Sequence, residues 1–293
     1  MAKIVITGAN GFVGLHTVEA LLKQGKALMA IDKDIDRLQK IQSDLLQIAQ
    51  LDICRESIEP ALKQGDKVLH LAAIPTFREC EQNPSAALIV NTVGSMKVLE
   101  ACKAKAVERI VFSSTGAVYG EKVEVPIRED HPRTPSSIYG YTKLYAEQLI
   151  QYFGVPYIIL RYGYIYGPGK LVGAIGGFIN GLQKREAPTI YGGFQLNDFV
   201  SIHDIVQANI LALETPYLNE VFNIGSGLAT SLLQVYQACE DAMGVYIEPK
   251  ILPKRPIDPN VFLYDITKAR TLLNYSPTHK LLDGIKEVVK CLQ

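Results

Sequence analysis

The first half of the chain alternates short β-branched apolar runs with longer amphipathic stretches. That rhythm marks βαβ units wound around a parallel sheet. The spacing predicts strands over 3–7, 27–31, 48–51, 68–71, 109–113 and 156–160. Helices are predicted between them over 11–24, 35–46, 57–63, 84–104 and 137–153. The last has Ser136 or Ser137 as N-cap and Gly154 just past its end.

From Tyr166 the pattern changes. Glycine and proline become frequent, as in Gly167-Pro168-Gly169, Gly176-Gly177 and Gly192-Gly193, and strict alternation stops. The expected fold class is therefore α/β, a Rossmann-type doubly wound parallel sheet followed by a smaller C-terminal α/β domain for substrate. A strand-like run over 221–224 and a helix-like run over 205–213 are expected to return to the first unit. The expected division is 1–165, joined by 198–226, for the dinucleotide, and 166–197 with 227–293 for the substrate.

Glycines open the candidate chemistry. Gly8, Gly11 and Gly14 follow the first strand directly and begin the first helix, with Asn10, Phe12 and Val13 between them. In that context glycine lets the backbone turn tightly and approach a pyrophosphate, whose charge rests on the helix N-terminus. Asp32 ends the second strand, 18 residues after Gly14. A carboxylate there accepts hydrogen bonds from ribose hydroxyls and repels a 2′-phosphate, which favours NAD over NADP. Lys33 beside it softens that preference. Asp52 and Ile53, after the third strand, are placed to meet the adenine edge.

Tyr139 and Lys143 stand four apart on one helix face. A free phenol is a poor base at neutral pH, and a nearby ammonium together with a cationic nicotinamide favours phenolate. The spacing alone is cheap, because Tyr166/Lys170, Tyr246/Lys250 and Tyr264/Lys268 share it. Context selects the first pair: its helix is capped, and it follows a strand ending in the hydroxyls Ser113, Ser114 and Thr115. Thr115 is expected to bond the same substrate oxygen as Tyr139, with Ser114 as its nearest competitor.

Bulk properties narrow the classes. The formal net charge is zero, so the positive surplus that nucleic-acid binding needs is missing. Five dispersed cysteines (Cys54, Cys80, Cys102, Cys239 and Cys291) and the lack of a metal-spaced cluster predict reduced thiols and no metal. Met1 runs straight into an apolar strand, and no run approaches a membrane span, so a cytoplasmic protein without a membrane partner is expected.

Taken together, these residues resemble the NAD-dependent epimerase/dehydratase branch of the extended short-chain dehydrogenase/reductase superfamily, nucleotide-sugar 4-epimerases in particular. The likeness covers almost the whole chain. Further matching pieces are His70 with Leu71, Ala72 and Ala73; Asn91; Glu147; Arg161 and Tyr162; Tyr166-Gly-Pro168; Asp198-Phe-Val; His203-Asp204; Phe222-Asn-Ile-Gly225; and Arg255 with Asp258.

The resemblance implies NAD as cofactor and a nucleotide sugar as substrate, epimerised through a transient 4-keto intermediate. It implies Tyr139 as base and acid, Lys143 on the nicotinamide ribose and Thr115 completing the triad. Cofactor contacts are implied for the glycine loop, Asp32, Lys33, Asp52, Ile53, Leu71, Ala72, Ala73, Asn91, Ser113, Tyr139, Lys143 and Tyr162. Substrate contacts are implied for Thr115, Tyr164, Asn197 and Arg255, the last as a guanidinium on the diphosphate. The helices over 84–104 and 137–153 are implied to pair as a four-helix bundle in a homodimer.

Two positions depart from the pattern. Tyr164 stands where the family carries Asn, and Asn197 where it carries Arg, with Lys170, Lys184 and Arg185 as the cations available to compensate. Gly116-Ala117 replaces the Asp-Glu pair that dehydratases use for elimination, which favours epimerisation. A net oxidoreductase of the same fold and a non-catalytic dinucleotide sensor remain the alternatives.

Overall fold

The computed structural model describes residues 3–121, 124–255 and 259–292. Its first six strands are β1 (Ile4–Thr7), β2 (Leu28–Asp32), β3 (Leu46–Gln50), β4 (Lys67–His70), β5 (Arg109–Thr115) and β6 (Tyr157–Tyr162). They are followed by β7 (Tyr164–Tyr166), β8 (Thr189–Tyr191), β9 (Leu196–Ser201), β10 (Glu220–Ile224), β11 (Ala229–Ser231), β12 (Lys250–Leu252) and β13 (Val261–Phe262). The helices are α1 (Phe12–Lys23), α2 (Phe77–Gln82), α3 (Pro84–Leu88), α4 (Ser95–Ala104) and α5 (Ile138–Phe153). Then come α6 (Gly173–Gln183), α7 (Ile202–Glu214), α8 (Leu232–Met243), α9 (Thr267–Leu273) and α10 (Leu281–Lys290).

Seven strands form one parallel sheet in the order β10-β6-β5-β4-β1-β2-β3. This is a Rossmann-type order, extended by β10 beside β6. The chain leaves β1 toward β2 and later returns to lay β4 on its other side. A crevice therefore opens beyond the carboxyl ends of β1 and β4, the place where such sheets bind ligands. The central strands are buried on both faces, as helix-covered parallel strands must be. One apolar cluster packs α1 and α7 on one face, and a second packs α4 and α5 on the other. A third joins α6, α8 and α10 with β8 and β9.

The predicted strands all form, with ends shifted by a residue or two, and the runs over 221–224 and 205–213 join the large sheet and its α1 face as expected. Two predicted helices are corrected. Over 35–46 there is only a 3₁₀ turn at Leu38–Lys40. Asp32 and Asp34 accept the backbone N–H groups of Asp34 and Asp36, and Asn10 Oδ1 accepts those of Arg37 and Leu38. Such side-chain acceptors give the backbone an alternative to the helical ladder.

Over 57–63 the helix shrinks to the turn Glu59–Ala61, which contains Pro60. The run over 84–104 is helical throughout but passes through a π-helical segment, Ile89–Gly94. The extra residue per turn there is a feature common at functional sites. α5 begins as expected, with Ser137 Oγ accepting from Gly140 N–H at 3.1 Å, and stops at Gly154 in the left-handed region.

Candidate active site

The glycine loop meets the chain after β4 at very short range. A Cβ on Gly8, whose φ is +71°, would lie 2.5 Å from Ala72 N, and one on Gly14 would lie 2.2 Å from Gly8 O. These two glycines let Leu71, Ala72 and α1 close onto the loop. Gly11 is different: a Cβ there would meet only Gly8 O, at 3.2 Å, so its outer side is bare. No described side chain caps α1. The orphan N–H groups of its first turn, from Phe12, Val13 and Gly14, thus open onto an uncovered cradle suited to a diphosphate.

Asp32 is half-buried at the end of β2. Its Oδ2 accepts from Asn10 N–H at 2.9 Å, and burial raises its pKa against the pull of backbone donors. The Asn10 amide is committed to Arg37 and Leu38, so it shapes the loop rather than facing outward. Lys33 is exposed beside Asp32. Leu51 N–H bonds Asp32 O at 2.9 Å, which brings Asp52 to the same edge. Asp52 Oδ1 accepts from Cys54 N–H, and Ile53 is buried against Gly94.

Tyr139 lies in the first turn of α5 and Lys143 one turn further on. Lys143 is 2 % exposed, and its ammonium sits 4.3 Å above the Phe112 ring. Among the described residues it makes no hydrogen bond. Burial pulls its pKa to about 7, with the Glu147 carboxylate pushing the other way. Burial also raises the Tyr139 phenol to about 12, although the facing Thr115 hydroxyl lowers it. The sequence expectation of a depressed phenol is thus not met by the chain alone. Desolvation disfavours both charges, and Lys143 is too weakly charged to compensate.

The hydroxyls at the end of β5 divide their work. Ser114 Oγ donates to Glu147 Oε1, and Ser113 Oγ donates to the His70 carbonyl at 3.1 Å. Thr115 alone faces Tyr139, so Ser114 drops out as a competitor. Glu147, fully buried, holds Arg161 at 2.7 and 3.0 Å. This pair braces α5 against β6.

Asn91, in the π-helical segment, is also committed. Its amide bonds Ile74 N–H (2.7 Å), Ile74 O (3.1 Å) and Thr142 Oγ1 (3.0 Å), and Thr142 in turn donates to Tyr139 O (2.8 Å). It therefore positions the turn that carries the phenol. His70 is neutral, its pKa lowered to about 3 by burial and then by Lys143. Ser95 gives its proton to Asn91 O, so His70 Nε2–H donates to Ser95 and Nδ1 accepts from Thr7. Tyr162 directs its hydroxyl to Asn209, leaving a ring rather than a donor for a neighbour.

An aromatic group stands beside Thr115. A Cβ on Gly116 would meet the Phe262 ring at 2.2 Å and Tyr264 Oη at 2.5 Å. Tyr164, 45 % exposed, packs on Phe199 and Phe262 with ring centroids 5.7 and 5.6 Å away. Asn197 is buried on β9 in register with Phe262, and among the described residues its amide makes no hydrogen bond. Phe262 escaped the reading from sequence because β13 is two residues long and lies far from Thr115 in sequence.

The Arg255 guanidinium stands 5.5 Å from the Tyr191 ring on β8. Asp258 lies outside the described residues. Lys170 lies toward Phe12. Among the described residues no group of His, Cys, Asp or Glu is arranged to hold a metal, and no helix is long and apolar enough to cross a membrane.

A parallel sheet with a bare glycine cradle and a Thr–Tyr–Lys cluster at its carboxyl edge defines a Rossmann-type dinucleotide protein. The buried Lys143 ammonium, lacking a hydrogen-bond partner among the described residues, fits the same ligand. Comparison with known proteins narrows the class. The profile of the NAD dependent epimerase/dehydratase family matches residues 4–225, and the chain belongs to that family. A putative UDP-glucose 4-epimerase of Methanocaldococcus jannaschii is 32% identical, over 99% of this chain and 98% of its own.

The solved UDP-glucose 4-epimerase of Thermotoga maritima, bound to UDP-glucose, superposes with a TM-score of 0.91 at 31% identity, covering 99% of this chain and 98% of that one. The UDP-glucuronic acid 4-epimerase of Bacillus cereus, bound to UDP-glucuronic acid and NAD, gives 0.91 at 33%, with the same coverage.

Proposed function

We propose that this protein is an NAD-dependent nucleotide-sugar 4-epimerase, an isomerase of the UDP-glucose/UDP-galactose type. The observation that carries the reading is Thr115 facing Tyr139, with Lys143 one helical turn on and without a hydrogen bond among the described residues, on the same sheet edge as a loop whose close approach needs glycine. The first turn of α1 would hold the NAD diphosphate, Asp32 the adenosine ribose, and Lys143 the nicotinamide ribose. When bound, NAD supplies reversible hydride acceptance at the sugar C4 and a positive ring beside the phenol.

The chain's own residues handle the proton. Tyr139 Oη takes it from the 4-hydroxyl and returns it to the oxygen of the opposite epimer, and Thr115 hydrogen-bonds that same oxygen. Ribose hydroxyls on Lys143 would stabilise its charged form and so strengthen its pull on the phenol. Neither Gly116 nor Ala117 offers a carboxylate, and Phe262 fills the space over Gly116. Elimination chemistry is left without an acid or base there, which supports simple epimerisation.

Residues 1–165 with 198–226 are assigned to the dinucleotide, and 166–197 with 227–293 to the sugar nucleotide. On the substrate side we assign Tyr164, Asn197 and Arg255. We also infer a homodimer through α3–α5. Leu88, Ile89 and Val93 are exposed on one helix of the pair, and Tyr141, Tyr145 and Tyr152 are exposed on α5. A second copy would complete a four-helix bundle.

The deciding experiment incubates the purified protein with UDP-, GDP- and TDP-sugars without added cofactor and separates the products. A new 4-epimer is expected, and Tyr139→Phe should lower kcat by about 10²- to 10⁴-fold. Stoichiometric consumption of added NAD would instead establish a net oxidoreductase.

A further inference from the structure

The chain between β7 and α6 lies against the start of α1, beside the dinucleotide loop. His16, one turn into α1, donates from Nε2 to Pro168 O at 3.0 Å, since a carbonyl can only accept. Lys170 donates to Ile165 O at 2.9 Å, and its ammonium stands 5.6 Å from the centre of the Phe12 ring. Phe12 is the first residue of α1, so this largely buried cation stands at the N-terminal end of that helix. Gly167 abuts Ile202 and Phe12, where a Cβ would come within 2.3 and 3.5 Å. A Cβ on Gly169, at φ +85°, would be 3.9 Å from Arg37, whose other nitrogen reaches Asn10 O. Residues 167–170 thus touch the α1 side of the glycine loop through Phe12 and His16.

We propose that residues 167–170 are a retaining strap for the cofactor's diphosphate, with Lys170 as its charge and His16 as its anchor. The inference rests on the reading that the glycine loop holds NAD. It assigns Lys170 to the cofactor's diphosphate rather than to the sugar nucleotide's. A cation with lowered solvent access interacts more strongly with a phosphate than an exposed one does. The anchored backbone must also move before the dinucleotide can leave. Slow exchange suits a cofactor that is restored at every turnover.

The test measures exchange of bound NAD for labelled NAD in wild type, Lys170→Met, Lys170→Arg and His16→Phe, with thermal melts to establish folding. Lys170→Met should exchange roughly ten- to a hundredfold faster. Lys170→Arg should stay within a few-fold of wild type. His16→Phe, which keeps the cation but frees the strap, should also speed exchange, and KM for the UDP-sugar should not move in Lys170→Met. Wild-type exchange in both Lys170→Met and His16→Phe overturns the strap. So does a raised sugar KM with unchanged NAD exchange, which would give Lys170 to the substrate. A wild-type protein that neither retains nor binds labelled NAD would instead remove the functional reading itself.

Discussion

At the scale of single residues, Lys143 is where the proposed function and stability oppose one another. Its ammonium is buried on the Phe112 ring without a hydrogen bond from the described residues, and its pKa falls to about 7. The unfolded chain, with an ordinary lysine, holds more protons between pH 7 and about 10.5. Stability therefore rises with pH across that window. Above it there is no cost, and at pH 7 and below the cost reaches on the order of 5 kcal/mol. Lys143→Met should accordingly melt higher than wild type without cofactor at pH 7, with the gain vanishing as pH approaches 10.5, while epimerisation is lost. Equal melting at pH 7 would show that the ammonium is hydrated. The Tyr/Lys pair was legible in its spacing and caps. The direction of its pKa values was not, because spacing reports proximity and burial decides which charge survives.

At the scale of elements, α2 supports α5, the helix of Tyr139, from outside the sheet. Glu81 Oε1 accepts from Ile138 N–H at 2.9 Å, satisfying an orphan donor that Ser137 leaves free, one residue before Tyr139. A carboxylate there also complements the helix dipole. Glu81→Ala should cost about 1 kcal/mol and lower kcat several-fold with little change in KM. Glu81→Gln keeps an acceptor and should recover most of kcat. If the two variants have the same kcat, the carboxylate does not position the phenol.

Sequence periodicity found α1, α5, α7 and every strand of the large sheet. It failed at 35–46, where aspartates and Asn10 take the backbone donors that a helix needs. It also could not see the π-helical segment at Asn91, because one extra residue per turn leaves the apolar pattern almost unchanged.

At the scale of the molecule, the second face of α5 remains to be covered. Tyr141, Tyr145 and Tyr152 recur at helical spacing and stay exposed, beside Leu88, Ile89 and Val93 on the adjoining helix. The opposite face of α5 carries Lys143 and Glu147 into the interior, so the exposed tyrosines are there for a reason other than the core. Patches of this kind mark association surfaces. A two-fold axis placing α5 and its neighbour against their copies would bury both stripes at once, since a symmetric pairing uses the same patch twice. The double variant Ile89→Lys, Tyr145→Lys puts unpaired charges into that interface, and desolvating them costs several kcal/mol. Its dimer dissociation constant should rise at least about a hundredfold. In sedimentation across a dilution series, wild type should hold at twice the chain mass where the variant is already a monomer. A wild-type protein that is monomeric at every concentration would leave these tyrosines on a free surface, and the Tyr139 helix would then be held only by contacts within its own chain, Glu147–Arg161, Glu81 and the Asn91–Thr142 link among them.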